Sequence, residues 1–424
     1  MNRALVLQLA RFGDLVQSKR LLLSLRAEGA EVHLCLDESL AGLARRVYPF
    51  AVLHPICAHG TGLAGKSPQE QAGALLTRNL GAFRELKALA PDAVYNLNFS
   101  PLNFRVAGLF EPDTVRGHRW VGGQEVVGPW ARLAMRWSGM RRLGINIADF
   151  WAWHHLDPVA AAEVNPPAQS RGGGLGVVMA GRESRRSLPP SVLAGLIGAL
   201  RGRLGSSKVT LIGTEAEDKA ARALIRELPA RQTDGVENLC GRTGLAELCD
   251  VVGGLDLLLT PDTGTMHLAA HLGVPVLATF LSSAWCFETG PYGQGHRVLQ
   301  AERDCLPCLE SRPCPTNVEC LQPFAEPLLA RYLSTGNAAH LPPGLLDLDA
   351  SFDALGATFT ARSGTDPHDE LRRRFRAFLL RHLRREEGLS GGPEGDFAQR
   401  LYSEMDWLTA EGGALPQGDA FDLV

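Results

Sequence analysis

Residues 255–281, LDLLLTPDTGTMHLAAHLGVPVLATFL, decide the fold that we predict. The apolar run 255–259 has the length and composition of a buried strand, and a PDTG turn separates it from a helical stretch, 266–272. Gly273 ends that helix, and 274–280 has the composition of a second buried strand. The order of strand, tight turn, helix and strand predicts a parallel α/β sheet.

The turn between this strand and its helix is where we expect a ligand. Ligands of parallel sheets bind at the carboxyl ends of the strands, and the first N–H groups of the following helix are donors at a positive dipole end. Asp262, Thr263 and Gly264 form the turn, and His267 lies in the first helical turn, where its imidazole can add a donor. The pattern predicts an anion site. The alternative is that Asp262 and Thr263 only cap the helix and that His267 is an ordinary surface histidine.

The composition is that of an ordinary globular protein. The 424 residues carry a formal net charge of -3, with 21% charged residues. The length indicates two or more domains, and the charge gives no field that would attract nucleic acid. No stretch has the roughly 18 apolar residues of a membrane span, and the start, MNRALVLQLARFGD, meets charge too early for a signal peptide. We expect a cytoplasmic protein whose nine cysteines are reduced or bind a metal.

The chain contains two β-α series joined by one linker. Residues 4–9 predict a strand, after which a turn, a helix and a second strand follow. The linker is VNPPAQSRGGG, 164–174, and a new β-α series begins after it. We predict an α/β protein of GT-B architecture, in which two Rossmann-like, doubly wound parallel sheets face a cleft. The predicted units are 1–165, 166–330 and a helical extension, 331–424.

The stretch 238–299 resembles the carboxyl half of glycosyltransferase family 9, best known for ADP-heptose:lipopolysaccharide heptosyltransferases. The D-T-G-x-x-H segment of the family matches Asp262, Thr263, Gly264 and His267, and the flanking GRTGL segment and GPYG turn match as well. The resemblance implies a GT-B fold in which 1–165 binds the acceptor and 166–330 binds the nucleotide sugar. It also implies inverting transfer, without a catalytic metal, of a heptose from an ADP-linked donor to a lipopolysaccharide-core sugar or another surface glycan.

The resemblance indicates an arginine on the donor side. Family members have a lysine in the loop that is AGRESRRSLP here, and Arg186 is the cation nearest to its position. Arg182 and Arg185 are alternatives, and any one of the three could simply be solvated. An arginine at this place could bind a diphosphate in bidentate fashion.

Two further donor residues follow from the family. Glu217 corresponds to a glutamate that binds the ribose, with Glu215 as the second choice, and Thr243 lies where the family lines the pocket for the base. A carboxylate can accept hydrogen bonds from two vicinal hydroxyl groups. The alternative for both glutamates is a helix-terminal position with no ligand.

The acceptor side is predicted in the first half. The RFGD segment supplies Arg11 and Asp14, and Asp14 matches the proposed catalytic base of the family, although it could be a helix cap alone. Lys19 stands where the family usually has proline, and Asn98 follows a strand, so both are assigned to acceptor binding, with a plain turn role as the alternative for Asn98. The basic and aromatic segment 116–157 suits sugar rings and phosphates, or is core.

Four cysteines form a group in DCLPCLESRPCPTNVEC. Cys305, Cys308, Cys314 and Cys320 have the spacing C-x2-C-x5-C-x5-C. Four thiolates can enclose a structural zinc, but the usual second short pair is missing, so reduced or redox-active thiols are the alternative. No cofactor is expected to be required for transfer.

The tail contains a basic amphipathic helix in DPHDELRRRFRAFLLRHLRREEG. We expect it to pack on the protein, with contact to an anionic membrane surface at the inner face of the inner membrane as an alternative. The expected partners are a nucleotide-sugar donor and a lipid-linked or core-oligosaccharide acceptor. Two other functions remain open: a non-hydrolysing nucleotide-sugar epimerase and a non-catalytic sugar-nucleotide or glycan-binding protein.

Overall fold

The computed structural model describes residues 2–59, 67–136, 138–180, 184–309 and 311–384, together with 397 and 401. Within these ranges the protein contains two sheets, of six and eight strands. The predicted GT-B architecture is confirmed.

The first sheet has the strand order β3-β2-β1-β4-β5-β6. The strand β1, near the centre of the sheet, is apolar and buried over nearly its whole length. This is expected for a parallel strand that helices cover on both faces. Neighbouring strands are parallel except for the last pair, which is antiparallel. The strands are β1 (Arg3–Gln8), β2 (Glu31–Asp37), β3 (Val52–Ile56), β4 (Ala93–Asn96), β5 (Val115–Val121) and β6 (Gln124–Val127).

Helices connect these strands and cover the sheet. The helix expected directly after β1 is interrupted at Ser18 and forms two pieces. The helices of this half are α1 (Phe12–Gln17), α2 (Lys19–Ala27), α3 (Ala41–Val47), α4 (Pro68–Leu89), α5 (Pro101–Ala107), α6 (Pro129–Arg136) and α7 (Ile147–Ala152).

The second sheet has the order β14-β13-β12-β11-β10-β7-β8-β9. The strand of the DTG stretch, β10, lies inside it between β7 and β11 and is parallel to both. The strands are β7 (Leu175–Val178), β8 (Val209–Ile212), β9 (Val236–Asn238), β10 (Leu257–Pro261), β11 (Val276–Phe280), β12 (Arg297–Ala301), β13 (Leu345–Phe352) and β14 (Ala357–Ser363). The helices are α8 (Pro190–Leu204), α9 (Asp218–Glu227), α10 (Ala230–Thr233), α11 (Leu245–Gly253), α12 (Gly264–His271), α13 (Cys286–Thr289), α14 (Gln322–Ala325), α15 (Pro327–Thr335) and α16 (Asp369–Leu383).

The prediction of a helical extension after residue 330 needs correction. Two of its segments, β13 and β14, are antiparallel strands that extend the second sheet from β12. The alternation of apolar and polar residues in LLDLDASF suits such a strand, in which successive side chains point to opposite faces. The extension therefore belongs structurally to the second half as well as carrying a helix.

The amphipathic helix of the tail is α16, and its apolar face is used inside the protein. Phe375, Phe378 and Leu379 are buried in one cluster with Leu133 and Leu143 of the first half. Packing, the default expectation, is therefore what the structure shows for this face. None of the described helices is long and apolar enough to cross a membrane.

A buried polar junction connects the first half, the second half and the extension. The Asp149 carboxylate on α7 accepts from Arg20 Nη1 and from the Tyr292 hydroxyl, each at 2.6 Å, and from the Ala357 N–H at 2.7 Å. The same Arg20 nitrogen donates to the Leu355 carbonyl at 2.9 Å. Because Asp149 and Arg20 are fully enclosed, each charge depends on the other for compensation.

We predict that Asp149→Asn lowers the free energy of unfolding by about 3 kcal/mol, because it leaves the Arg20 charge buried without its partner. Equilibrium denaturation in urea measures this. The control is Asp349→Asn, which removes the exposed pair with Arg362 and should cost less than about 1 kcal/mol. Equal losses in the two variants would contradict the assignment of Asp149 as the junction.

Candidate functional site

The start of α1 and the start of α12 meet between the two halves. A Cβ placed on Gly264 would lie 2.3 Å from Phe12 Cδ1, and one on Gly13 would lie 3.2 Å from His267 Cδ2 and 3.4 Å from Gly264 Cα. Glycine is needed at 264 for this contact, because any side chain would overlap the Phe12 ring. The structure therefore brings the RFGD turn and the DTG turn together.

Asp14 borders this gap and is half-buried. Asp14 is the third residue of α1 and not its N-cap, because the helix begins at Phe12 and its N-cap is Arg11. The Asp14 Oδ2 accepts from the Arg11 N–H at 3.1 Å, while the Arg11 side chain is exposed. The Asp14 backbone carbonyl accepts from the Ser18 hydroxyl at 2.9 Å. The carboxylate is close enough to Asp262 for its charge to raise the pKa of Asp262, and its role as a base remains a prediction.

The DTG turn begins α12 as the sequence indicated. Thr263 is the N-cap, and its hydroxyl accepts from the Met266 N–H at 3.3 Å and bonds to the Thr260 hydroxyl at 3.1 Å. This satisfies one donor of the first turn, whereas the amides at Gly264 and Thr265 have no acceptor within an α-helix by its geometry. The Gly264 backbone lies against α1, and unpaired amides at the start of a helix favour an anion.

Asp262 is the most perturbed acid of the gap. Burial raises its pKa to about 6, and the charges of Asp14 and Glu288 act in the same direction. Opposing this, Arg186 Nη1 lies 3.4 Å from Oδ2 and the Thr289 hydroxyl donates to the same oxygen at 3.0 Å. A buried carboxyl of this kind changes its charge near neutral pH.

Arg186 is the predicted cation that the structure places at this site. Its Nε donates to the Ser283 hydroxyl at 2.7 Å while Nη1 faces Asp262. Arg185 turns the other way and donates to the Arg312 carbonyl at 3.0 Å. The third candidate, Arg182, lies outside the described residues.

His267 is buried behind the DTG turn and 5% exposed. Burial lowers its pKa to about 3, so the imidazole is neutral at physiological pH. Its Nε2 lies 3.9 Å from Asp262 Oδ1. His267 can therefore act as a neutral hydrogen-bond donor, without adding positive charge.

Glu217 and Thr243 lie on adjacent turns of the second half. Glu217 Oε2 accepts from the Thr214 N–H at 2.7 Å and from its hydroxyl at 2.6 Å, which is the capping geometry considered as the alternative. Thr243 is half-buried directly before α11. A Cβ on Gly241 would lie 2.9 Å from the Glu215 Cα, so the two turns are in contact. Their nucleotide-binding roles remain predictions.

The remaining acceptor residues have internal partners. Asn98 is buried, and its side-chain oxygen accepts from the Leu9 N–H at 3.1 Å, in line with the turn role. Lys19 Nζ donates to Asn165 Oδ1 in the linker at 2.8 Å. Both acceptor assignments remain predictions.

Arg141 is a residue that the sequence did not single out by itself. It lies in the first half, and its Nη2 donates to Glu288 Oε2 at 2.6 Å and to the Ser283 carbonyl at 3.0 Å. Its Nη1 donates to the Cys308 carbonyl at 3.2 Å. Arg141 therefore connects the first half to the loop that holds Arg186. No local signal could have revealed it, because Arg141 and Glu288 are 147 positions apart.

The four cysteines lie in one segment beside this loop. Cys305 is exposed, Cys308 and Cys314 are half-buried, and Cys320 is buried. Burial raises the pKa of the Cys320 thiol, and the other three cysteines, which are near it, contribute. In the described part of the chain no three His, Cys, Asp or Glu side chains are arranged to hold a metal ion. A structural zinc at these cysteines remains a prediction.

Two parallel sheets whose carboxyl edges meet at one gap define a GT-B protein, and solved structures share this fold. The glycosyl transferase family 9 structure from Veillonella parvula has a TM-score of 0.52 at 16% identity, covering 70% of this chain and 86% of that one. The E. coli ADP-heptose lipopolysaccharide heptosyltransferase II has a TM-score of 0.51 at 17% identity, covering 70% and 89%. An E. coli heptosyltransferase solved with ADP has a TM-score of 0.51 at 16% identity, covering 71% and 93%.

One segment of the sequence matches a known family. Residues 198–317 match glycosyltransferase family 9 (heptosyltransferase). Lipooligosaccharide heptosyltransferase 2 of Campylobacter jejuni is 27% identical over 111 residues, 26% of this chain and 34% of that protein. Lipopolysaccharide heptosyltransferase 1 of Pseudomonas aeruginosa is 38% identical over 87 residues, 20% of this chain and 24% of that protein. The chain thus spans about a third or less of the length of these relatives. The predicted resemblance to family 9 is confirmed over this segment.

We predict that Asp262→Asn changes stability in a pH-dependent way. A pKa of about 6 in the folded protein, against about 4 when unfolded, means that the native state keeps this proton more tightly. The wild type therefore loses stability relative to the variant as pH rises from about 4 to about 6, by roughly 2–3 kcal/mol. Urea denaturation of both proteins at pH 4, 5, 6 and 7 measures the difference. A difference that stays constant over this range would contradict the buried, protonated Asp262.

Proposed function

We propose that the protein is an inverting, metal-independent glycosyltransferase that moves a sugar from a nucleotide-diphosphate sugar to an acceptor hydroxyl. The observation that supports this is the packing of Gly13, next to Asp14, against Gly264 and His267 of α12. The Asp14 carboxylate is close enough to Asp262 to raise its pKa, and Arg186 faces Asp262 as well. One side of the gap offers groups for a leaving diphosphate, and the other offers a base for an attacking alcohol.

The donor side is proposed to hold the diphosphate at the α12 N-terminus. The amides at Gly264 and Thr265 and the positive end of the helix dipole favour an anion there. Arg186 adds a permanent positive charge, and neutral His267 adds an N–H donor without adding charge. Preorganised donors of this kind stabilise the charge that develops on a leaving diphosphate.

Asp262 is compatible with a neighbouring diphosphate because of its raised pKa. A second negative charge disfavours the ionised form further. Binding of the donor is therefore proposed to complete the protonation of Asp262, which removes a repulsion and adds one O–H donor. Glu217 is proposed for the ribose hydroxyls and Thr243 for the edge of the base.

The acceptor side is proposed to use Asp14 as general base. As the acceptor oxygen attacks the anomeric carbon, its proton passes to the carboxylate, and the bond from that carbon to the diphosphate oxygen breaks. Attack from the face opposite the leaving group inverts the configuration. The rate then comes from positioning of the two substrates and from charge stabilisation at the leaving group.

The identity of the substrates is proposed from the relatives. The matched relatives are named as lipopolysaccharide or lipooligosaccharide heptosyltransferases, and one E. coli structure was solved with ADP. We propose an ADP-linked heptose as donor and a lipid-linked or core oligosaccharide as acceptor, met at the cytoplasmic face of the membrane. Since the apolar face of α16 is buried in the protein, membrane contact would have to use another surface.

We predict that Asp14→Asn lowers kcat for transfer by about 100- to 10,000-fold, because it removes the base and keeps the cap. Product is followed by mass spectrometry with ADP-heptose and a truncated core acceptor, in EDTA, since no metal is proposed to act. The control is Glu70→Gln, which changes another helix-capping carboxylate, in α4. Unchanged transfer by Asp14→Asn, or loss of wild-type activity in EDTA, would contradict the mechanism. An epimerised nucleotide sugar formed without acceptor would favour the epimerase alternative.

We predict that calorimetric titration detects ADP and ADP-sugar binding, and that Arg186→Ala weakens it about 10- to 100-fold through loss of a charged hydrogen-bond donor. GDP, UDP and CMP compounds serve for comparison. Arg185→Ala is the matched control, because Arg185 points to the Arg312 carbonyl and should bind as the wild type does. Equal weakening by both variants would contradict the role of Arg186, and binding of no nucleotide would contradict the donor site.

A further inference from the structure

A small cavity lies between the two halves and is lined on one side by α1 and α2 and on the other by His267 and Tyr292. Its polar lining comes from Gln17 of α1, Lys19 of α2, Asn165 of the linker, and His267 of α12, with Tyr292 beside them. The cavity has room for a single water molecule.

Two buried atoms of this lining lack a hydrogen-bond partner among the described residues: Gln17 Oε1 and His267 Nδ1. The Gln17 amide orientation is fixed, because its Nε2 donates to the Gly13 carbonyl at 3.3 Å and so leaves Oε1 as an acceptor. Gln17 is 7% exposed and His267 is 5% exposed, so bulk water does not satisfy either atom. Buried polar atoms of this kind are normally satisfied by an ordered water.

Lys19 supplies the complementary group. Its ammonium has three donors, and within the described chain one of them is used, in the 2.8 Å bond to Asn165 Oδ1. Asn165 is itself held, because its Nδ2 donates to the Tyr292 carbonyl at 2.6 Å. The lysine is therefore anchored at the cavity wall with donors remaining.

A single water molecule has enough hydrogen bonds for all three groups, because it donates two and accepts one or two. The His267 Nε2 faces the Asp262 carboxylate, at 3.9 Å from Oδ1, which favours the ring proton on Nε2 and leaves Nδ1 as an acceptor. We infer that a buried water accepts from Lys19 Nζ and donates to Gln17 Oε1 and His267 Nδ1, which makes Lys19 a positioning residue that holds His267 in the tautomer protonated on Nε2.

The tautomer matters because the ring is neutral. A neutral imidazole has one donor and one acceptor nitrogen. When the water donates its hydrogen to Nδ1, the ring proton is therefore on Nε2. Nε2 is the nitrogen nearer to Asp262, at 3.9 Å from Oδ1. The tautomer therefore presents an N–H, and not a lone pair, towards the carboxylate and the site proposed for the diphosphate. Only the benefit to a bound diphosphate rests on the proposed function, whereas the tautomer itself does not.

Lys19 lies among other groups that can carry charge. Two other groups near Lys19 are Arg20 on its own helix and His271 on α12. Burial lowers the pKa of His271 to about 3, and the positive charge of Lys19 contributes to this lowering. His271 is therefore neutral at physiological pH.

Nitrogen-15 NMR of the full chain, labelled at histidine, tests the tautomer directly. The His267 signals are assigned by their loss in His267→Gln. The wild type should show one nitrogen typical of an unprotonated, hydrogen-bond-accepting Nδ1 and one typical of protonated Nε2. In Lys19→Met the two shifts should move towards each other, because the apolar side chain displaces the water and both tautomers become populated.

Two controls separate a positioning role from a general loss of structure. Lys19→Arg keeps the donor and should retain the wild-type pattern, whereas Lys87→Met changes an exposed lysine of α4 and should change nothing. In the transfer assay Lys19→Met should lower kcat about tenfold, the effect of one weakened hydrogen bond in the transition state. Lys19→Arg should recover most of that loss.

A wild-type His267 protonated on Nδ1 would overturn the inference, and this result does not depend on how any variant folds. Unchanged His267 shifts in a folded Lys19→Met protein would also overturn it. The NMR result is independent of transfer, so a failure of the proposed function would appear in the activity and nucleotide assays while the tautomer stayed as inferred.

Discussion

The contact between the start of α1 and the start of α12 is the constraint on which the site depends. It requires glycine at position 264, where the Phe12 ring occupies the space of a side chain, and a small residue at position 13. Each helix follows a central strand of its own sheet, β1 or β10, so two rigid elements determine where the two turns lie. Because the two helix starts are packed, Asp14 and the DTG turn face one gap rather than separate surfaces.

Cross-domain bonds stabilise that contact. The Asp149 junction connects α2 and α7 to Tyr292 and to the extension, and Arg141 connects the first half to Glu288. The same Arg141 bonds to the Ser283 carbonyl, and the Ser283 hydroxyl accepts from Arg186. The orientation of Arg186 is therefore coupled to Arg141 of the first half. The segment that matches family 9 thus depends on contacts with residues outside it.

The sequence predicted the parts of the fold that buried apolar strands and tight turns encode. The turns that carry Asp14, Thr263 and His267 follow β1 and β10, as the apolar pattern indicated, and the roles of these three residues remain predictions. It missed β13 and β14, whose alternating pattern is short and whose partner strand β12 is distant in sequence. It did not reveal the hydrogen bond from Lys19 to Asn165 of the linker, and the assignment of Lys19 to acceptor binding stays a prediction. Side-chain direction across a domain boundary depends on tertiary packing, which local patterns do not contain.

A crystal structure with an intact nucleotide-diphosphate sugar tests the central claim most directly, because it locates the diphosphate. We expect phosphate oxygens within about 2.7–3.2 Å of the backbone nitrogens of Gly264 and Thr265. We also expect the anomeric carbon of the sugar to face Asp14. A diphosphate bound away from the start of α12, or a sugar turned away from Asp14, would contradict it.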